Sequence, residues 1–250
     1  MGCDIHLRIE RQVDDRWEQV IADPCCRCNG EGIRRGTRTD GTSWEFDCYL
    51  CDDTGKGPDG WYHDRNYDVF AILANVRNGH DVTGTKSSDG FKFISDCRGI
   101  PEDVSPEVGE WMRDGDHSHT WVLLSEVLSV DWSQVIVKHG SVSLEEYRDW
   151  WLTRNKMGEP KNWCLGRMGP GTKYIENAEM EKLIAGGRRE SDWNHKQVPG
   201  ASTDDQQHNT WIVWEEPYAI SCGDFLTFVK KFLVPLGDPT KVRLCMWFDS

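Results

Sequence analysis

Hydrophobic and polar positions alternate strictly at the start of the chain. Cys3, Ile5, Leu7 and Ile9 fall on one side, and Asp4, His6, Arg8 and Glu10 on the other. That is the period of a strand with one buried face. Asp14-Asp15 reads as a turn and Trp17 to Ile21 as a returning strand, completing a hairpin. Trp211 to Tyr218 is a further strand, and Lys241 to Phe248 alternates like the first. Between these ends the period becomes helical. Tyr67, Phe70, Ala71, Ala74 and Val76 share one broad face, with Asp64 or Asn66 as the cap and Asn78-Gly79 as the stop. Ser105-Pro106-Glu107 opens a second helix that runs toward Gly115. Thr120 to Val130 predicts a third. Ser143 to Asn155 predicts a fourth, with Ser143 and Glu146 as a capping box. Glu176 to Ala185 is a short fifth, closed by Gly186-Gly187. Asp224 to Leu233 is the last, with Phe225, Phe228, Val229 and Phe232 on one face. Residues 79–105, 155–173 and 186–210 read as loops. Strands at both ends with helices between predict an α+β fold, not a regular βαβ array. Its mixed sheet uses the N- and C-terminal strands, packed with several helices. The reading is one α+β domain over 1–250, with residues 24–60, rich in Gly, Asp and Cys, as an inserted module.

Composition narrows the function. The 42 acidic and 29 basic residues leave a net charge of −13. Phosphate recognition needs clustered Lys and Arg, so this charge argues against a dominant nucleic-acid surface, though not against a local basic patch. Mean hydropathy is −0.64. The longest apolar runs, such as Val69 to Ala74, fall far short of the roughly 20 residues of a spanning helix. No membrane role is expected, and the opening MGCDIHLRIE carries no signal-peptide core; a cytoplasmic protein is the simplest expectation. Thirteen tryptophans are several times ordinary usage. They can build a core from few aliphatics, and some can instead form a stacking surface.

Five of the ten cysteines fall within residues 25–51. Cys25 and Cys28, then Cys48 and Cys51, give C-x2-C-x19-C-x2-C, a zinc-site spacing. Two thiolates on one tight knuckle occupy one edge of a tetrahedron, and a second knuckle closes it at about 2.3 Å per Zn–S bond. Cys26 is the rival of Cys25, but the C-x-C pair it would make with Cys28 is the less usual zinc arrangement. Four thiolates leave no open position, so zinc here is expected to staple a loop and not to catalyse.

The first knuckle continues Cys28-Asn29-Gly30-Glu31-Gly32, and the second continues Cys51-Asp52-Asp53-Thr54-Gly55-Lys56-Gly57. This resembles the zinc hairpin of DnaJ-type chaperones, with its C-x2-C-x-G-x-G repeat. The first knuckle matches in full, and the second has two extra residues before its glycines. No J-domain His-Pro-Asp accompanies it, so the resemblance implies only the metal-binding hairpin. Over most of its length the chain also resembles a family of bacteriophage proteins of uncharacterised role. The residues that carry this are Met1-Gly2-Cys3-Asp4-Ile5-His6, the stretch DRNYDVFAILANVRNG from Asp64, Asp116-His117-Ser118-His119-Thr120-Trp121, and VRLCMWFD from Val242. The resemblance implies a phage accessory protein acting in the bacterial cytoplasm, and it supplies no activity.

Two polar groupings are candidates for further chemistry. Asp4 and His6 share a strand face, and Asp116, His117 and His119 form D-H-x-H. Together they could make an open metal site that activates water for phosphodiester or amide hydrolysis, against the plainer reading of caps and surface groups. His63-Asp64-Arg65-Asn66 precedes a helix. Arg65 could fork onto a phosphate or carboxylate beside that N-terminus, or simply form an internal salt bridge. Thr83-Gly84-Thr85-Lys86-Ser87 lacks the spacing of a phosphate loop. Arg188-Arg189 and Lys230-Lys231 are too short to argue for nucleic acid. The leading expectation is a zinc-stapled binding protein for a host protein or a nucleotide-like ligand held by Arg65 and Asn66, with counter-defence a natural role. The alternative is a metal-dependent hydrolase built on Asp4, His6, Asp116, His117 and His119. A mimic of DNA is a weaker reading of the charge.

Overall fold

The computed structural model describes residues 4–51, 53–57, 61–62, 65–80, 86–156, 158–165, 172–188 and 207–249. Helices and sheets segregate as in an α+β protein, and the chain divides into two compact units. The first unit comprises residues 1–78, 91–132 and 221–250; the second comprises 79–90 and 133–220.

The first unit is built on β1 (Ile5–Val13), β2 (Arg16–Val20), β5 (His117–Leu123) and β9 (Val242–Phe248), in the order β2-β1-β9-β5. The terminal strands pair antiparallel, Ile5 opposite Phe248 and Ile9 opposite Leu244. Asp14 and Asp15 both take positive φ, 46° and 61°, the geometry of a two-residue hairpin turn. One sheet face carries Ile5, Leu7, Ile9, Leu244, Met246 and Phe248, all buried. The helix α1 (Tyr67–Ala74) lies on this side, with Phe70 edge-on to Phe248 at 5.1 Å. Every residue from Val69 to Ala74 is buried. Its Asn66 cap accepts from Asp68 N and Val69 N, and it ends at Asn75 (φ 57°), earlier than the predicted Asn78-Gly79.

A strand with one buried face predicts exposure on its polar side, yet Arg8 and Glu10 are buried there. Helix α2 (Pro106–Arg113) covers it, with Val108 and Met112 against Cys245 and Arg8 over the Trp111 ring at 4.7 Å. Glu10 is 0% exposed. It accepts from Arg243 Nη2 (2.6 Å) and Nε (2.9 Å), and from Ser105 N (2.8 Å). A buried carboxylate requires such pairing.

The predicted helix from Thr120 to Val130 is corrected. Residues His117–Leu123 form β5, and only Leu124–Ser129 form helix α3. Thr120, Val122 and Leu124 alternate and are buried, and the free edge of β9 offers ladder bonds that a helix would forgo. Glu126 then starts α3 by accepting from Leu123 N. Near the C-terminus α7 (Gly223–Phe228) runs into a wider π turn over Val229–Leu233. The hairpin β3 (Ile33–Thr37) and β4 (Ser43–Asp47) forms a separate two-stranded sheet within this unit.

The second unit has β6 (Val135–Ser143), β7 (Thr172–Tyr174) and β8 (Gln207–Pro217) in the order β6-β8-β7. The β-branched run Val135-Ile136-Val137 is the signal of β6, a strand absent from the predicted elements. Helices α4 (Leu144–Leu152) and α5 (Asn177–Ala185) supply Leu144, Tyr147, Trp150, Met180 and Ile184 to a core with Ile212 and Trp214. Ser143 caps α4 through Glu146 N, but the Glu146 carboxylate takes Lys161 N and Asn162 Nδ2 instead of closing the capping box. A short α6 (Tyr218–Ser221) lies between β8 and α7 in sequence. Residues 207–210 belong to β8, not to the predicted loop, whose 189–206 stretch lies outside the described residues along with Thr83-Gly84-Thr85. No helix among the described residues is long and apolar enough to cross a membrane.

Candidate metal centre

The β3–β4 hairpin brings the two cysteine knuckles side by side. At its tip Asp40 Oδ1 accepts from Thr42 N (2.9 Å) and Oγ1 (2.6 Å), and Gly41 takes a φ of 84°. At its base the two knuckles bond to each other in matching fashion, Cys25 N to Gly55 O and Cys48 N to Gly32 O, each at 2.7 Å. Within the first knuckle Glu31 N donates to Cys28 O, and within the second Thr54 N donates to Cys51 O. A reciprocal pair between Ala22 and Gly57, 3.0 Å in both directions, closes the module.

The glycines are required by this approach. Gly32 and Gly55 have φ of 74° and 76°. A Cβ on Gly55 would overlap the Gly30 carbonyl oxygen and lie 2.9 Å from its carbon; one on Gly32 would overlap the Asp53 carbonyl. The second knuckle's two extra residues therefore put Asp53, itself at φ 57°, against Gly32. The departure from the regular repeat is absorbed without opening the pair of knuckles.

The sulfurs converge. Cys25 Sγ lies 3.9 Å from Cys48 Sγ, and Cys28 Sγ lies 3.8 Å from Cys51 Sγ. All four ligand atoms lie within 4.8 Å of one another, and all four residues are buried. Bonds of about 2.3 Å at tetrahedral angles put sulfurs about 3.8 Å apart. The set therefore fits a four-thiolate zinc site and could hold the ion. Burial pushes the Cys25 thiol up to about 11 and the Cys51 thiol up to about 12. Burial opposes the Cys28 thiolate too, but the N–H groups of Gly32 and Gly30 together with the Cys51 and Cys25 thiols hold that thiol below its ordinary value. A bound dication supplies the charge that makes the other thiolates tenable. Cys26 stands outside the cluster, and burial pushes its thiol up to about 12.

The other predicted groups are placed differently. Among the described residues, the four cysteines are the one group of three or more candidate metal ligands, and it does not include Asp4, His6, Asp116, His117 or His119. His6 stacks on Trp247 at 3.8 Å and contacts Asp249 Oδ2 through Nε2 at 3.0 Å. His117 Nδ1 lies 2.8 Å from Ser118 Oγ at the β5 bulge, and Asp116 is exposed ahead of it. His119 Nε2 is buried with no hydrogen-bond partner among the described residues. Arg65 forks onto Asp4, Nε to Oδ1 at 2.7 Å and Nη2 to Oδ2 at 2.8 Å. Asn66 serves as the α1 cap and donates Nδ2 to Ser221 O. The proposed ligand-binding pair is thus engaged internally, because Asp4, 61 positions upstream, satisfies the guanidinium fork. His63, Asp64, Cys3 and Arg189 lie outside the described residues.

The chain matches no protein-family model, no curated protein and no solved structure.

Proposed function

We propose that the chain is a phage-encoded accessory protein that acts by binding, to a host protein or a nucleotide-like ligand, with zinc as its structural staple. The closed donor set carries this reading: four buried thiols at zinc-site spacing leave no coordination position for water or substrate. The hairpin also needs a staple. Most residues of its two strands are exposed, and its buried cluster consists of the four cysteines with Leu50 packed against them. None of the nine described cysteines is in a disulfide, which suits a reducing cytoplasm. Phage origin, and with it a counter-defence role, rests on the MGCDIH opening and the segments around Asp64, Asp116 and Val242.

Elemental analysis per chain tests this, on the wild type, Cys28→Ser and His117→Ala/His119→Ala. The expected counts are one zinc, little or none, and one zinc. A second metal lost only in the histidine variant would overturn the binding reading in favour of hydrolytic chemistry.

A further inference from the structure

The β3–β4 ribbon has two unlike sides. In the register Arg34 opposite Phe46, Arg35 opposite Glu45 and Gly36 opposite Trp44, side chains alternate across the ribbon. One side carries Ile33, Arg35, Thr37, Ser43, Glu45 and Asp47. Its guanidinium is neutralised, with Arg35 clamped by Glu45 Oε2 (2.6 Å) and Glu31 Oε2 (2.8 Å). The other side carries Arg34, Gly36, Trp44 and Phe46, and the pairing of Arg38 N with Thr42 O extends the ribbon one residue further. Within the two strands no carboxylate falls on this side.

Its aromatic groups are presented, not packed away. Phe46 is 60% exposed, and Trp44, half-buried, lies 5.4 Å from it at a tilt of 31°. The Trp44 ring rests over Gly36, where a Cβ would come within 2.8 Å of Nε1. Arg34 lies over the Trp44 ring at 5.8 Å, and on the first knuckle Arg27 lies over Tyr49 at 6.0 Å. Arg27, Arg34 and Arg38 have no carboxylate partner among the described residues. Among the described residues these cations stand without a carboxylate, in a chain whose net charge is −13.

We infer that the Arg34–Trp44–Phe46 side of the ribbon is a binding surface for single-stranded nucleic acid, with Trp44 and Phe46 stacking on successive bases and Arg34 and Arg38 meeting phosphates. The inference rests on the binding reading above and names the ligand class. An exposed and a half-buried ring interleaved with guanidiniums that have no carboxylate partner among the described residues are what a splayed strand uses, since every base has a face to stack and every linkage a charge. A duplex hides those faces. An acidic peptide would engage the cations but leave the two rings without planar partners. The overall acidity restricts the contact to this ribbon and predicts a short site with a shallow salt dependence.

The test uses the zinc-loaded full chain and a fluorescein-labelled oligodeoxythymidylate of about ten nucleotides, a length within the usual single-domain site sizes. Anisotropy should give a Kd tighter than about 100 µM, the weak end of non-specific binding. Two phosphate contacts predict a slope of log K against log salt near −1.4, from about −0.7 each. Trp44→Ala/Phe46→Ala should weaken binding by at least about fivefold, the lower limit for one lost stack. Trp44→Leu, which keeps apolar cover over Gly36, should weaken it as well. Arg34→Gln/Arg38→Gln should flatten the salt slope. Thr37→Ala, on the other side, should change nothing. No binding at about 100 µM, an equal loss in Thr37→Ala, or displacement by polyglutamate as effective as by unlabelled oligonucleotide would each overturn the inference. Zinc is counted on every sample. A sample that holds zinc and ignores the oligonucleotide sinks this inference alone. A wild-type sample without zinc sinks the staple, and its oligonucleotide titration still decides the inference.

Discussion

Substituting Gly55 by Ala should loosen the metal centre, and Gly41→Ala should not, although both residues hold positive φ, 76° and 84°. Each substitution costs about 1 kcal/mol for placing an L side chain in the left-handed region. Only at Gly55 does backbone stand in the way. The new Cβ would lie 2.9 Å from the Gly30 carbonyl carbon, with the oxygen closer still, whereas at Gly41 nothing lies within 4 Å. Ordinary carbon contacts begin near 3.5 Å, so the knuckles must part by at least about 0.6 Å. Metal–ligand distances tolerate about 0.2 Å. The displacement therefore misdirects at least one thiolate. Structural zinc binds with on the order of 10–16 kcal/mol, so one ligand of four is worth about 2–4 kcal/mol, or at least about 30-fold in affinity. Competition against a chromophoric chelator at fixed pH measures this directly. A Gly55→Ala protein that holds zinc within about threefold of Gly41→Ala would refute the close-approach argument, since about 0.6 kcal/mol is too little for a lost ligand.

Other outcomes follow from the same geometry. Cys26→Ser should leave the zinc stoichiometry unchanged, as elemental analysis would show, because Cys26 stands outside the four-sulfur cluster. Arg243→Met should destabilise the first unit by about 3–5 kcal/mol by stranding the buried Glu10 carboxylate. In urea melts, Arg243→Met combined with Glu10→Leu should recover part of that loss, and a double variant at least as unstable as Arg243→Met would contradict the account. Glu126 is held below the usual carboxylate range, chiefly by Arg98 at 2.6 Å and also by Leu123 N. A depressed folded value contributes stability above the unfolded value of about 4.3, lost as pH falls through the folded one. The stability gap between wild type and Glu126→Gln should therefore shrink as pH drops from about 6 to below 4 in thermal melts, and a gap constant across that range would count against the pair.

Much of the metal centre could be read in the sequence because its chemistry is local. Two C-x2-C turns joined by one hairpin need only a tight knuckle and glycines at the crossing, and the spacing of Cys25, Cys28, Cys48 and Cys51 states both. Strict alternation likewise marked β1 and β9, and the Ser105-Pro106 and Gly186-Gly187 signals marked helix ends. Other features depended on partners far away along the chain. On the polar side of β1, Arg8 and Glu10 are buried where α2 lies, and the pairing of β1 with β9 sets Glu10 opposite Arg243, 233 positions away. Residues 117–123 became strand because β9 offered an open edge, which outweighs a helical tendency of that short run. Arg65 forks onto Asp4, and among the described residues the histidines of β1 and β5 belong to no group of three or more candidate metal ligands. The ribbon's division into a neutralised side and a cationic, aromatic side required the register of β3 on β4, since shifting the pairing by one residue would have set Arg34 on the side of Glu45 and away from Trp44 and Phe46. Periodicity and ligand spacing are properties of a segment and stand in the sequence. Burial, ion pairing and strand edges are properties of what lies against it, and only the folded chain decides them.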